Sequence, residues 1–374
     1  MIKYLGSKRV LLGPIVAAVR GLGPDVRSAL DLFSGTARVG HALKKSGLFV
    51  TANDHLTYAA TLAAAYVAAD ARVWAAPARA LLAELAAIPA GPEGWFTRQV
   101  AREARYLQPH NAARVEAIRE AIAARALPAP LEAIALTSLM EAADRVDSTA
   151  GVQMAYLKSW AARSHNALEL RVPALLAGEG AALQLDARDA AATEADVAYL
   201  DPPYNQHSYL GNYHVWETLA RWDAPETYGV ANKRVECKTY KNAFNSRVRI
   251  GAALAEVIAR VRAPELVVSF SDEGFLAREE LEAMLGARGH VRVVAARYER
   301  YVGAKIGIYD PKGNKVGRPS HLENTEMIFI VSPERARAEA AAARCLAALG
   351  ERAAGAASAA GTAGTNVQLE LPLR

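Results

Sequence analysis

Apolar runs and amphipathic stretches alternate in the first quarter of the chain. Ser28–Phe33 is a mostly apolar run of strand length, and Gly35 interrupts the pattern soon after it. Thr36–Ser46 has the spacing of a helix that ends at Gly47, and Leu48–Ala52 is a second apolar run. Strand, helix and strand in this order form a βαβ unit, which is the building block of parallel sheets. The pattern therefore predicts an α/β fold with a doubly wound, Rossmann-like sheet.

The apolar spacing changes to that of helices over residues 71–180. Ala, Leu, Glu and Arg dominate there, and the helical spacing is clearest in Val115–Ala126 and Leu131–Ala143. We predict a helical insertion over 71–180 that divides the sheet domain into residues 1–70 and 181–335. Strand patterns return after the insertion at Ala182–Leu185, Val197–Leu200, Leu266–Ser271, Val291–Ala296 and Met327–Val331.

The last part of the chain predicts a loop, a helix, a linker and a short peptide. Gly303–Pro319 is rich in Gly, Pro, Lys and Asn, which indicates a long loop or a hairpin. Ser332 and Pro333 are suited to begin a helix, which we place over residues 336–350. Residues 351–367 are mainly Ala, Gly, Ser and Thr and predict a flexible linker before a peptide at 368–373.

The composition of the chain is typical of a globular protein. The 374 residues are 52% hydrophobic and include no run of 18 apolar residues, so we expect a globular protein without a membrane span. No signal-peptide pattern opens the chain, and Cys237 and Cys345 lack disulfide-framework or metal-ligand spacing. We therefore expect a cytoplasmic protein without a metal site.

Positive charge is concentrated in two segments. The net charge of the chain is only +5, but residues 231–249 hold six basic residues against one acidic residue, and residues 297–321 hold six against two. Such focused charge suits a polyanion, although two solvated loops would give the same pattern. The candidates for phosphate contact are Lys233, Arg234, Lys238, Lys241, Arg247, Lys305, Lys312, Lys315 and Arg318.

A glycine-containing turn and an acidic residue indicate a nucleoside-containing cofactor. Asp31–Gly40 lies between the first predicted strand and its helix, where Gly35 permits a tight turn and the helix N-terminus can host a carboxylate or phosphate. Asp54 follows the second strand, where an acid commonly meets ribose hydroxyls. A purely structural turn beside a solvated aspartate is the alternative.

The tetrapeptide Asp201-Pro202-Pro203-Tyr204 directly follows the predicted strand Val197–Leu200. The carboxyl ends of parallel strands are where ligands bind, and two prolines fix the backbone there. The Asp201 carboxylate and the Pro202 carbonyl can accept hydrogen bonds from an exocyclic amine, and Tyr204 can stack on a base. The alternative is a proline-rich turn with a buried tyrosine.

Together these motifs resemble those of the D12-class adenine-N6 DNA methyltransferases. Lys3–Lys8 is similar to the opening motif of that family, Asp31–Gly40 to its methyl-donor loop, and Asn53-Asp54 to its ribose-binding acid. Leu185–Arg188 resembles its short motif before the tetrapeptide, and Asp201–Tyr204 its DPPY signature. The resemblance covers Met1 to about Val331. Ala37 stands where the family usually has a second glycine, which we expect to reduce the room near the cofactor.

The resemblance implies a Rossmann-like methyltransferase domain that uses S-adenosylmethionine to methylate a flipped adenine in duplex DNA. It implies that Asp201, Pro202, Pro203 and Tyr204 act in catalysis, and that the insertion recognises the target sequence. The polar turn Asp144–Gly151 within the insertion could meet DNA or simply join helices. The cofactor-binding residues implied are Tyr4, Lys8, Asp31, Phe33, Ser34, Gly35, Thr36, Asp54 and Asp186. A cytosine-N4 methyltransferase of the same fold and a catalytically idle DNA- or clamp-binding module are the alternatives.

The last residues resemble the short peptide by which bacterial replication and repair proteins bind the sliding clamp. Gln368 is followed by leucines in alternation, Leu369, Leu371 and Leu373, after the predicted linker. A flexible tether raises the local concentration of such a peptide near its partner. The same alternation could instead form an edge strand on the protein's own sheet.

Overall fold

A central sheet organises the protein, of which the computed structural model describes residues 1–153, 159–299, 308–309, 315–317 and 323–360. The strands are Ser28–Asp31 (β1), Phe49–Asn53 (β2), Gly180–Leu183 (β3), Val197–Leu200 (β4), Thr227–Tyr228 (β5), Lys233–Arg234 (β6), Glu265–Ser271 (β7), His290–Glu299 (β8), Ile308–Tyr309 (β9), Lys315–Gly317 (β10) and Glu323–Ser332 (β11). Seven of them form one sheet in the order β3-β2-β1-β4-β7-β11-β8. The first five in that order are parallel, and β11 runs antiparallel to both of its neighbours. The predicted doubly wound α/β fold is confirmed.

Helices cover both faces of this sheet. They are Leu12–Gly21 (α1), Arg38–Lys45 (α2), Thr57–Ala63 (α3), Ala71–Ala86 (α4), Trp95–Thr97 (α5), Pro109–Ala123 (α6), Ala129–Arg145 (α7), Ala187–Ala190 (α8), Tyr209–Asn212 (α9), His214–Arg221 (α10), Glu236–Thr239 (α11), Ile250–Arg260 (α12), Arg278–Gly286 (α13) and Arg335–Ala360 (α14). No helix in the described part of the chain is long and apolar enough to span a membrane.

Alternate residues of the strands supply two hydrophobic clusters, one on each face of the sheet. In β4, Val197 and Tyr199 belong to one cluster, while Ala198 and Leu200 belong to the other. The side chains of successive strand residues point to opposite faces, and all four of these residues are buried. The strand is therefore covered on both sides, which explains its continuous apolar sequence.

The helical insertion is continuous with the core of the sheet. Helices α4 to α7 lie within residues 71–145, and residues of α6 and α7 belong to the same cluster as those of β1 and β4. The described residues between 146 and 179 form no α-helix, so the prediction of an all-helical insertion is wrong there. Side chains of the helices hold this segment instead. The Asn111 side chain bonds the carbonyls of Ser164 and Asn166, and the Ser138 hydroxyl bonds the carbonyl of Arg171.

The C-terminal helix is longer than predicted. Helix α14 continues to Ala360, so residues 351–360 are helical although their composition predicted a linker. Alanine has the highest intrinsic helix propensity, and an alanine-rich segment therefore extends a helix that is already formed. The remaining linker residues and the peptide at 368–373 lie outside the described residues. The short pair of β9 and β10 favours the hairpin among the two alternatives for Gly303–Pro319.

Candidate active site

A cleft that is open to solvent lies at the carboxyl ends of β1, β2 and β4. Parallel strands bring the segments that follow them to one edge of the sheet, so motifs far apart in sequence meet here. The predicted residues that line the cleft are Tyr4, Lys8, Asp31, Phe33, Ser34, Gly35, Thr36, Asp54, Asp186, Asp201 and Pro203. The side chains of Pro202 and Tyr204 do not line it.

Asp31 ends β1, and only one of its two carboxylate oxygens accepts a hydrogen bond from the residues that the structure describes. Its Oδ2 accepts a hydrogen bond of 2.8 Å from the Gly40 backbone N–H. Its Oδ1 is buried, and no donor among the described residues reaches it. Burial raises the pKa of Asp31 to about 7. A buried carboxylate oxygen without a partner at the edge of a cleft is suited to a cationic ligand group.

The turn after β1 uses left-handed backbone conformations at two positions. Gly35 has a φ of +52°, and its Cα faces the Tyr4 ring so closely that a Cβ would lie 3.2 Å from a ring carbon. Ala37 has a φ of +58°, which costs a residue with a side chain about 1–2 kcal/mol. Ala37 is fully buried in the core and does not line the cleft. The expectation that its methyl group reduces the room near the cofactor is therefore wrong.

Asp54 and Asn53 connect the loops around the cleft. The Asp54 carboxylate accepts hydrogen bonds from the backbone N–H groups of Gly35 at 2.9 Å and Leu56 at 3.0 Å, and burial raises its pKa. The buried Asn53 side chain donates to the carbonyls of Leu32 at 3.1 Å and Leu185 at 3.2 Å, and accepts from the Leu185 N–H at 3.0 Å. Asn53 thus joins the chain after β1 to the chain after β3.

Asp186 follows β3 and begins α8 as its N-cap. Its carboxylate accepts from the Arg188 backbone N–H at 2.9 Å and also pairs with the Arg188 guanidinium, which lowers the pKa of Asp186. The side chain is exposed at the rim of the cleft. It therefore remains ionised and accessible to a ligand.

The catalytic tetrapeptide predicted from the sequence is partly enclosed, with half-buried side chains at Asp201, Pro203 and Tyr204. Burial raises the pKa of Asp201, and Lys8 opposes that shift because its Nζ lies 2.9 Å from Asp201 Oδ1. The Tyr204 ring packs against Phe270 with a centroid distance of 5.3 Å, and burial raises its pKa to about 12. Pro202 is buried. In this structure the cleft therefore meets the tetrapeptide through Asp201 and Pro203.

The N-terminal segment reaches the cleft because the end of the insertion holds it. Tyr4 stacks on Tyr213 with a centroid distance of 4.7 Å. Lys3 Nζ donates to the Asp144 carbonyl and to the Asp147 carboxylate, both at 2.6 Å. Asp144, Asp147, Ser148 and Thr149 are all buried. The turn 144–151 therefore anchors the N-terminal segment, which favours a joining role over contact with DNA.

Several residues that line the cleft had no local signal in the sequence. Tyr209 stacks on Tyr4 at 5.0 Å, and Tyr240 stacks on His55 at 5.3 Å with an interplanar angle of 10°. Phe244 meets Phe33 edge-on at 5.2 Å. The further lining residues that sequence reasoning missed include Asn242 and Asn245. A distinct residue, Glu326 on β11, lies 3.5 Å from Lys8 Nζ.

The basic segment at residues 231–249 contains both a buried, paired arginine and basic residues that are exposed to solvent. Arg234 is only 2% exposed, and its guanidinium pairs with Asp223 at 2.6 Å and Glu236 at 3.1 Å. Its assignment to phosphate contact is therefore wrong, since its donors are used inside the protein. Lys241 and Arg247 are exposed. In the same segment Lys233 is half-buried, and Lys238 is exposed and lies over the Tyr228 ring.

The candidates in the second basic segment are not tested by the structure. Only the backbone of Lys315 is described, and the residues outside the described part of the chain are Lys305, Lys312 and Arg318.

Comparison with known proteins agrees with this arrangement. The model of the family "D12 class N6 adenine-specific DNA methyltransferase" matches residues 4–284. The chain is 28% identical to the type II methyltransferase M.FokI of Planomicrobium okeanokoites over 321 residues, which are 80% of this chain and 49% of that protein. It is 28% identical to the modification methylase StsI of Streptococcus sanguinis over 324 residues, 81% of this chain and 49% of that protein.

A third relative has a length closer to that of this chain. The type II methyltransferase M.NlaIII of Neisseria lactamica is 26% identical over 334 residues, which are 85% of this chain and 98% of that protein. The chain spans about half the length of the first two relatives. The residues matched by the family model, 4–284, contain the cleft and the motifs that line it.

Proposed function

The chain belongs to the D12 class of N6 adenine-specific DNA methyltransferases, and from this premise we propose that it transfers a methyl group from S-adenosylmethionine to N6 of an adenine in duplex DNA. The transfer is site-specific, and the adenine is flipped out of the duplex to reach the cleft. The observation that supports this most is the position of Asp201. Its carboxylate shares one cleft with the glycine turn at Gly35 and the carboxylate of Asp54.

Incubation with labelled S-adenosylmethionine and unmethylated genomic DNA tests the proposal. Hydrolysis of the DNA to nucleosides should release label as N6-methyladenine. Label in N4-methylcytosine would show the alternative target base, and no label would show a binding module without activity. Either result would contradict the proposal.

The residues around the cleft fit S-adenosylmethionine. The Oδ1 of Asp31, which no donor in the described part of the chain reaches, is suited to an ammonium group, since a carboxylate prefers a charged donor. Asp54 and Asp186 are placed to accept from ribose hydroxyls and an adenine amine, and the Phe33 ring supplies an apolar wall. S-adenosylmethionine supplies an activated methyl group on a sulfonium centre.

The chain itself supplies positioning and charge. The Asp201 carboxylate and the Pro202 carbonyl accept hydrogen bonds from the target amine, which turns the nitrogen lone pair towards the methyl group. Asp201 also stabilises positive charge as it develops on that nitrogen. Such fixed dipoles and charges need no reorganisation during the reaction, so they lower the barrier without acting as a base. Stacking on Tyr204 offsets part of the cost of flipping by about 1–3 kcal/mol, and requires its ring to turn from Phe270 towards the cleft.

The exposed basic residues beside the cleft are the candidates for contact with DNA. Lys238, Lys241 and Arg247 lie on the same segment as Tyr240 and Phe244, which line the cleft. Phosphate contacts there position the duplex without reading its sequence. The helical insertion is the candidate for sequence recognition. As a protein that acts on chromosomal DNA, it belongs in the cytoplasm with the nucleoid.

The terminal peptide is proposed to bind the bacterial sliding clamp. Gln368 and the leucines 369, 371 and 373 resemble the clamp-binding peptide, and these residues lie outside the described ones. Deletion of residues 368–374 should abolish retention on immobilised clamp without changing the rate of methylation on short DNA. Undiminished retention would contradict the proposal and leave the edge strand as the alternative.

A further inference from the structure

Lys8 lies between two carboxylates at the buried end of the cleft. Its Nζ is 2.9 Å from Asp201 Oδ1 and 3.5 Å from Glu326 Oε2, and its side chain is only 5% exposed. The third neighbour is the Gly6 carbonyl at 3.5 Å. The ammonium group thus lies within 3.5 Å of two carboxylates and a carbonyl.

The charges of these three side chains do not cancel. One lysine can neutralise one carboxylate, so with both acids ionised the cluster keeps a net charge of −1. The other titratable groups that act on Lys8 or Glu326 are Tyr199, Tyr204 and Asp272. The two tyrosines are neutral at physiological pH because burial raises their pKa, so they do not change this balance.

The position of Glu326 is fixed by the sheet. Strand β11 pairs with β7 on one side and β8 on the other, and Glu326 is opposite Ser271 of β7 and Ala296 of β8. Because β11 is antiparallel, its N-terminal part lies at the edge where β4 and β7 end. The carboxylate therefore reaches Lys8 from a rigid element rather than from a loop.

We propose that Glu326 is a positioning residue of methyl transfer. It interacts with the same Lys8 ammonium group as Asp201 does, so Lys8 does not fully neutralise Asp201, and the Asp201 carboxylate keeps negative charge for the target amine. This inference rests on the proposed function. Without Glu326, Lys8 and Asp201 form a neutral pair, and the ammonium opposes the positive charge that develops on the amine nitrogen. Glu326 makes and breaks no covalent bond and contacts the substrate only through Lys8 and Asp201.

The Glu326→Gln variant tests the inference by single-turnover methylation of unmethylated genomic DNA. The plateau rate should fall at least tenfold, while the affinity for S-adenosylmethionine changes less than twofold. Loss of a negative neighbour lowers the pKa of Asp201, so the acid limb of the pH–rate profile should move to lower pH. Glu326→Asp keeps the charge and should recover most of the rate. Glu265→Gln removes another buried strand carboxylate, one paired with Arg337, and should not shift the profile.

A double-mutant cycle separates action through Lys8 from a general structural effect. If Glu326 acts through Lys8, the Glu326→Gln change should lower the rate less than twofold in a Lys8→Met background. A second tenfold loss in that background, or a Glu326→Gln rate within twofold of the unmodified protein, would overturn the inference while the proposed function stands. An unmodified protein that transfers no methyl group to DNA would instead overturn the proposed function, and the inference with it.

Discussion

Replacing Asn53 by alanine should destabilise the protein and weaken its binding of the methyl donor. The Asn53 side chain makes three hydrogen bonds, two to the carbonyls of Leu32 and Leu185 and one from the Leu185 N–H, and it is 1% exposed. A hydrogen bond contributes about 1 kcal/mol net, and a buried group left without a partner costs about 1–3 kcal/mol. We therefore expect the free energy of unfolding to fall by about 3 kcal/mol.

The same change should reach the cleft because the bonded segments support it. Leu32 precedes Phe33 and Leu185 precedes Asp186, so the two lining residues lose a common support. Without that support, the side chains of Phe33 and Asp186 must be ordered when the methyl donor binds, which costs about 0.5–1.5 kcal/mol per side chain. The dissociation constant for S-adenosylmethionine should therefore rise about tenfold, as measured by isothermal titration calorimetry.

Asn111 provides a matched control inside the helical insertion. It is also 1% exposed, and it also donates to two carbonyls, of Ser164 and Asn166, and accepts from one N–H, of Leu168. Asn111→Ala should lower the free energy of unfolding by a similar amount and leave the cofactor affinity unchanged. Equal affinity losses in both variants, or none in Asn53→Ala, would refute the argument that Asn53 supports the cleft.

Three further changes have distinct readouts. Asp201→Asn should slow single-turnover methyl transfer at least 100-fold, in the range of a lost oxyanion-hole donor, with the affinity for the methyl donor changed less than threefold. Lys241→Ala should reduce the slope of log affinity for DNA against log salt concentration by about 1. Arg234→Ala should instead lower the melting temperature without changing that slope. A reduced slope for Arg234→Ala together with an unchanged slope for Lys241→Ala would contradict both assignments. Because the folded-state pKa of Asp31 is about 7, its contribution makes the free energy of unfolding fall as the pH rises from about 4 to 7. Asp31→Asn should therefore weaken this dependence in urea denaturation at several pH values, and an unchanged dependence would contradict the assignment.

The sequence predicted the part of the site that follows from strand order. Asp31 ends β1, and Asp54 and Asp201 directly follow β2 and β4. Parallel pairing brings such strand ends together whatever the details of packing. It did not predict the ion pair of Lys8 with Asp201, which joins residues 193 positions apart. Glu326 had no signal either, because a single acid in a strand of mixed pattern resembles a solvent-facing residue.

The errors also have physical causes. Arg234 belongs to a basic run, but acids that fold back on it, Asp223 and Glu236, consume its donors. The composition of residues 351–360 is typical of a linker, yet alanine is the strongest helix former and α14 already provides the nucleus. Local patterns therefore identified elements and motifs, whereas tertiary pairing decided which charges are free.

The anchoring of Lys3 by Asp144 and Asp147 limits how the insertion of this protein could be exchanged for that of a relative. The segment bearing Tyr4 and Lys8 is held by the end of α7, which belongs to the insertion rather than to the sheet. A chimera that takes only the insertion from a relative would replace the anchor and leave its partner behind. A graft should therefore include the first eight residues of the donor, so that the foreign insertion arrives with the segment it holds in place.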